Sequence, residues 1–494
     1  MVWIHGGGFV SGSATSKWYS GAHLAARHGV IVVGVEYRLG PLGFLSSPEL
    51  KRAFGESGGA NGLNDQIVAL RWVQRHIDSF GGDPRQVTIF GESSGGVAVC
   101  ILNASPKAAG LFSRAILSSG PCIVPSQGWG PATEAFGNQL GVDLMKRLNA
   151  TSIADLRGLP PQLLQWDNAT LGSDNFAGYS FDGGVIPAWP EAAYSSGQLN
   201  AQSMLLGHTS KDGTSAFYGK APLANATFME WKQAMRTRWG ADAPAVMAQY
   251  SLGRFQSASH VPAVTASYIA ADADNRVGCP LWRMASLAAN ATRAGDAAAS
   301  DAAAGSAAAG SAAAARGKEQ GADRGEKGTG ARSPPTIDVH TFVFSHLHLA
   351  CDAAFQLKAL PWWLPRSDLL GSGWASHGSD NKFVFHTEHG EDSLAFPPFP
   401  QQDCTFSQAE HELSNYTGAA WAAVAATGRP PWPSFTDHAT GITAAAASAG
   451  DAGGNGRTRT MVLQTADARG VAYDYKKDDC EFWAKLGGAH GHGR

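Results

Sequence analysis

Residues 89–96 read Ile-Phe-Gly-Glu-Ser-Ser-Gly-Gly, and their types and spacing point to nucleophilic acyl transfer. Gly91, Ser93 and Gly95 fill the pattern G-x-S-x-G, in which a serine stands on a sharp strand-to-helix turn. The apolar run Val87 to Phe90 leads in and small residues lead out, as such a turn requires. A side chain two positions either side of the serine would collide with the crossing strand or helix, so glycine stands at both. The turn exposes the Ser93 hydroxyl and aims the N–H of Ser94 at the same place. Upstream, Val2-Trp3-Ile4 is strand-like and runs directly into His5-Gly6-Gly7-Gly8-Phe9. Consecutive glycines after a strand let backbone N–H groups turn inward. Those of Gly7 and Gly8, with that of Ser94, would face the oxyanion formed when Ser93 attacks an ester carbonyl. One such donor is worth about 3 kcal/mol of transition-state stabilisation.

The elements that must position these groups follow an alternating α/β pattern. Val30 to Val35 is a near-continuous apolar strand of the kind buried inside a parallel sheet. Ile67, Leu70, Val73 and Ile77 form one face of a helix. Arg114 to Ser119, Met204 to Leu206 and Asp338 to Ser345 read as later strands. The 494 residues, 44% hydrophobic and 16% charged, fit one large domain over 1–494. Residues 289–335 and 438–458 are rich in Ala, Gly and Ser and read as disordered insertions into surface loops. Residues 351–380 read as a more ordered insertion, because Trp362, Trp363 and Leu364 offer packing surface. A net charge of −3 gives no reason to expect nucleic acid as a partner. No apolar run approaches the roughly 20 residues of a membrane-spanning helix.

Residues 1–120 resemble the type-B carboxylesterase and cholinesterase family of α/β-hydrolases. The matching pieces are Trp3 to Phe9, Glu36-Tyr37-Arg38-Leu39-Gly40, Gly43-Phe44-Leu45 and Asn61 to Gln66. They continue with Ala69 to Val73, Phe80 to Pro84, Gly91-Glu92-Ser93, and Gly110-Leu111-Phe112 to Ser119-Gly120. The resemblance implies a mostly parallel central sheet flanked by helices, with residues 120–180 as a helical cap and the family's N-terminal strands missing. It implies a triad in the chain order Ser, acid, His. Asp212, before Gly213, occupies the acid position, where most members carry Glu. His389, in His389-Gly390-Glu391-Asp392, fits the expected His-Gly-x-(Asp/Glu) loop better than its rival His386. By the same resemblance Glu92 and Ser119 share a supporting hydrogen-bond network, and Arg38 with Asp83 form a buried structural ion pair. Cys279 and Cys480 match a family disulfide, and Cys351 with Cys404 is a further pairing. The substrate implied is a small carboxylic ester, hydrolysed without metal or cofactor.

Six cysteines and the sequons at Asn103, Asn149, Asn168, Asn225, Asn290 and Asn415 lean toward a secretory, extracellular setting, although no signal peptide is visible. Asn103 follows the elbow helix, where burial would keep it unmodified. Met1 is followed at once by the strand carrying the oxyanion loop, so a truncated or fragmentary chain is one expectation. Two other readings stand beside the esterase: an inactive, cholinesterase-like adhesion or binding protein, and a non-functional piece of an esterase. The sequence leaves the oligomeric state open.

Overall fold

The computed structural model describes residues 1–54, 58–123, 133–166, 184–212, 226–255, 262–292, 337–346, 378–387, 405–435, 458–463, 470–473 and 475–489. Among the described residues eight strands form one sheet: β1 Val2–Ile4, β2 Val33–Val35, β3 Thr88–Glu92, β4 Arg114–Ser118, β5 Ser203–Thr209, β6 Asp338–Phe344, β7 Arg459–Leu463 and β8 Gly470–Tyr473. Their order is β2-β1-β3-β4-β5-β6-β7-β8. Every neighbouring pair is parallel except β7 with β8. This is the mostly parallel α/β-hydrolase arrangement that the sequence implies.

Side-chain alternation builds the two layers. Ile4, Ile89, Leu117, Met204 and Leu206 face one apolar cluster, which the elbow helix Ser94–Ala104 completes with Val97 and Ile101. Their neighbours Trp3, Phe90, Ile116 and Leu205 face the other, against Phe383, Phe385, Leu413 and Trp421. Both faces are covered, which is why β3 and β5 are buried at every position. Helix Asn61–His76 buries Leu63, Ile67, Leu70 and Val73 along the stripe read from the sequence, and Ile77 opens a 3₁₀ turn. The strand expected over 30–35 pairs only at 33–35, because its partner β1 offers three residues before the glycine loop.

Helices Glu134–Arg147 and Ile153–Arg157 lie within the stretch read as a cap. They dock on the loop and helix at 46–54 through Ser46–Asn138, Lys51–Glu134 and the Ile153 N–H to Glu49. The rest of that stretch, 124–132 and 167–183, lies outside the described residues, as do most of 289–335 and 438–458. Of 351–380, only Gly378, Ser379 and Asp380 are described.

The expected Arg38–Asp83 pair is corrected. Arg38 grips Asp65 in a two-pronged contact, with both N–O distances 2.7 Å. Asp83 instead accepts from the backbone and guanidinium of Arg85 while capping a 3₁₀ turn. Helix Asn61–His76 carries Asp65 up to Arg38. Asp83 follows that helix and its 3₁₀ turn, where its nearest cation is two residues away. Asn103 is buried, hydrogen-bonded through its side chain to Ala201 N–H at 2.8 Å, so its sequon is closed to modification.

Candidate active site

Strand β3 delivers Ser93 to the C-terminal edge of the sheet, where it caps the elbow helix with φ 57° and ψ −128°. A non-glycine residue here holds roughly 1–3 kcal/mol of backbone strain, of a kind that collects at functional sites. The surroundings enforce it. A Cβ on Gly95 would lie 2.0 Å from the Ile4 carbonyl oxygen, and one on Gly91 would lie 2.5 Å from the Gly95 carbonyl. The Ser93 N–H donates to the Ser118 carbonyl at 3.0 Å, and its own carbonyl accepts from Val97.

The glycine loop lies directly against this turn. A Cβ on Gly6 would come within 3.0 Å of Ser93 Cβ. Gly7, Gly8 and Phe9 have φ 115°, 65° and 61°, and the Gly7 carbonyl accepts from the Val10 and Ser11 N–H groups. Tyr37 donates its hydroxyl to the His5 carbonyl at 2.8 Å and stacks on the His5 ring. Phe9 N–H donates to Ser94 Oγ at 3.3 Å. The loop is thus tied to both neighbouring elements. Burial pushes the Tyr37 hydroxyl pKa up and that of His5 down, keeping both groups neutral.

Beyond β5 the chain turns to bring Asp212 into the interior. Its Oδ2 accepts from Ser119 Oγ at 2.8 Å and from the Thr209 N–H at 2.9 Å. Ser119, at φ 51°, donates its N–H to the Gly207 carbonyl. His208 Nδ1 stands 3.8 Å from the same carboxylate oxygen, and burial lowers the pKa of its ring. Ser93, Ser119 and Asp212 therefore follow the C-terminal ends of three adjacent parallel strands, the place where open α/β sheets bind ligands.

The Ser119 hydroxyl bonds to Asp212. Glu92 is buried beside Ser93, and a Cβ on Gly378 would lie 3.3 Å from its Oε1. Tyr19 has its pKa raised by burial, then by the charges of Glu92 and Asp380. Ser118 donates to the Asp380 carboxylate in a short contact.

His389 lies outside the described residues, with Glu391, Asp392, Cys351 and Cys404. His386 sits in a histidine cluster instead: its ring stacks on His23, and its nitrogens lie 2.8 Å from Ser414 Oγ and 3.2 Å from His411 Nδ1. Burial and the nearby cationic groups lower its pKa to about 4. Sequence reasoning passed over a second match to its own pattern, His377-Gly378-Ser379-Asp380, of which Gly378 and Asp380 lie beside Glu92 and Ser118.

Cys279 and Cys480 form the disulfide that the resemblance implied. Cys100 and Cys122 form another that the sequence did not signal. Among the described residues no helix is long and apolar enough to cross a membrane.

A serine at an elbow, a glycine loop against it and a buried carboxylate two strands away share the C-terminal end of a mostly parallel sheet of α/β-hydrolase type. The chain belongs to the carboxylesterase family, whose profile matches residues 1–292. It is 38% identical over 216 residues to the para-nitrobenzyl esterase of Bacillus subtilis, covering 43% of each chain. It is 35% identical over 223 residues to cholinesterase 2 of Branchiostoma lanceolatum, covering 43% of this chain and 64% of that one. It is 39% identical over 225 residues to the acetylcholinesterase of Danio rerio, covering 43% and 34%. The matched segment thus spans less than two thirds of each relative's length.

Proposed function

We propose that this protein is a serine carboxylic-ester hydrolase. The observation that carries the reading is Ser93 held at positive φ between glycines that admit no side chain, with the glycine loop packed against it. Esterase-named relatives support the same class. In this mechanism a histidine takes the Ser93 proton as the hydroxyl attacks the ester carbonyl. The N–H groups of Gly7, Gly8 and Ser94 hold the oxyanion. Collapse expels the alcohol, protonated by the same histidine, and leaves an acyl-serine. Water, deprotonated by that histidine, releases the acid. Asp212 orients the imidazole and stabilises its protonated form. Its fixed oxygen, held by Ser119 and Thr209, suits a group that must not swing.

Two histidine–glycine pairs compete for the base. His389 is the reading from the C-terminal loop pattern. His377 is favoured by its neighbour Gly378, which lies beside Glu92, the residue before the nucleophile. Turnover of p-nitrophenyl butyrate by His377→Ala and His389→Ala decides between them. The base variant should lose about 10⁴-fold or more in kcat, and the other should stay within a few-fold of wild type. Full activity in both variants would overturn the triad. The substrate class is a small-molecule carboxylic ester. The two disulfides fit an oxidising, secretory compartment.

A further inference from the structure

Cys100 and Cys122 are fully buried and bonded across 22 residues. Cys100 lies in the second turn of the elbow helix, whose N-cap is Ser93. Cys122 lies three residues beyond Ser119, the group that holds Asp212. Between these ends the two segments meet through bare backbone. A Cβ on Gly120 would lie 2.4 Å from Gly96 C and Val97 N, and one on Gly96 would lie 2.6 Å from the Ser118 carbonyl oxygen. Contact this close carries no interlocking side chains. The Ser93 N–H bond to the Ser118 carbonyl ties the two segments at the sheet end, and the covalent bond adds a second tie further along the helix.

We propose that the Cys100–Cys122 disulfide is a positioning cross-link for the active site. It sets Ser119, and through Ser119 the Asp212 carboxylate, at a defined place relative to Ser93. This rests on the reading of Ser93 and Asp212 as nucleophile and acid. A second disulfide, Cys279–Cys480, joins residues 201 apart and ties helix Lys477–Ala489 to helical residues 279–292.

The test compares the full chain with Cys100→Ala/Cys122→Ala, and each with and without Ser119→Ala, at a temperature well below every Tm. For p-nitrophenyl butyrate the pair variant should lose about tenfold in kcat with KM within twofold. Adding Ser119→Ala to the pair variant should then cost less than twofold more, because both changes act through Asp212. A stabilising bond with no positioning role would lower Tm, leave kcat intact and let Ser119→Ala act in full on the pair variant. That pattern would overturn the proposal. Should the pair variant not fold, the wild-type chain is treated with a water-soluble phosphine. The phosphine is oxidised to its oxide with oxygen from water, and the disulfide takes up two electrons and two protons to give two thiols. Activity that falls with loss of the Cys100–Cys122 bond, scored by mass spectrometry of trapped thiols, while the near-ultraviolet circular dichroism stays native supports the role; activity lost only together with that signal overturns it. Activity that survives loss of the bond also overturns it. A wild-type chain that neither turns over ester nor reacts with a fluorophosphonate would sink the esterase reading itself. An active wild type with an unaffected pair variant would sink the cross-link alone.

Discussion

Replacing Ser119 by alanine removes one hydrogen bond from the buried Asp212 carboxylate and leaves that from the Thr209 N–H in place. The lost bond is 2.8 Å long, and both partners are buried. A hydrogen bond to an ionised group is worth about 1.5–3 kcal/mol. If Asp212 supports the imidazolium of the transition state, that loss falls on the barrier. At 1.36 kcal/mol per tenfold, kcat should drop by roughly 10- to 100-fold. The surviving Thr209 bond argues for the lower half of that range. Ser119 stands at φ 51°, a conformation that glycine adopts without strain, so Ser119→Gly separates backbone from hydrogen bond. Steady-state hydrolysis of p-nitrophenyl butyrate should show the same kcat loss in both variants, with KM little changed, while Tm differs between them. Wild-type kcat in both would refute the assignment of Asp212 as the acid.

Other expectations follow from the same geometry. Gly95→Ala would put a methyl 2.0 Å from the Ile4 carbonyl oxygen, forcing the elbow helix off β1. The cost should be about 3 kcal/mol or more, read as loss of soluble folded protein or a large fall in urea midpoint. Tyr37→Phe strips the hydroxyl from the buried His5 carbonyl and should cost about 1–3 kcal/mol in chemical denaturation, with a fall in kcat if the glycine loop that His5 opens holds the oxyanion as proposed. His386, whose pKa is lowered to about 4 from 6.5, binds its proton more readily unfolded than folded. Stability should therefore be full above pH 6.5 and decline as pH falls toward 4. His23 and His411 face this ring and Arg27 lies near it, adding to the repulsion. His386→Asn, which suits the left-handed backbone at φ 54° and does not titrate, should flatten the dependence of the urea midpoint between pH 7 and 4.5.

The strands were legible because a parallel sheet covered on both faces demands near-continuous apolar runs, and Val87 to Phe90 or Met204 to Leu206 have little else to do. The elbow was legible because its sterics leave glycine as the sole choice at 91 and 95. Partner choices among polar groups were harder. Arg38 has acidic residues at 65 and 83 to choose from, and only the helix that carries Asp65 back across the loop decides. Ser119 bonds to Asp212 by virtue of strand order, which no local pattern encodes. Six cysteines allow fifteen pairings, and Cys100 with Cys122 depends on a glycine-to-glycine approach between a helix and the loop after β4. The histidine pattern occurs twice within sixteen residues, so pattern alone could not rank the two.

The most direct test of the esterase account is reaction with a fluorophosphonate followed by peptide mapping. One covalent adduct is expected, on Ser93, formed in step with loss of ester turnover and abolished by Ser93→Ala. A folded protein that turns over ester but takes no label at Ser93, or whose activity survives Ser93→Ala, would contradict it.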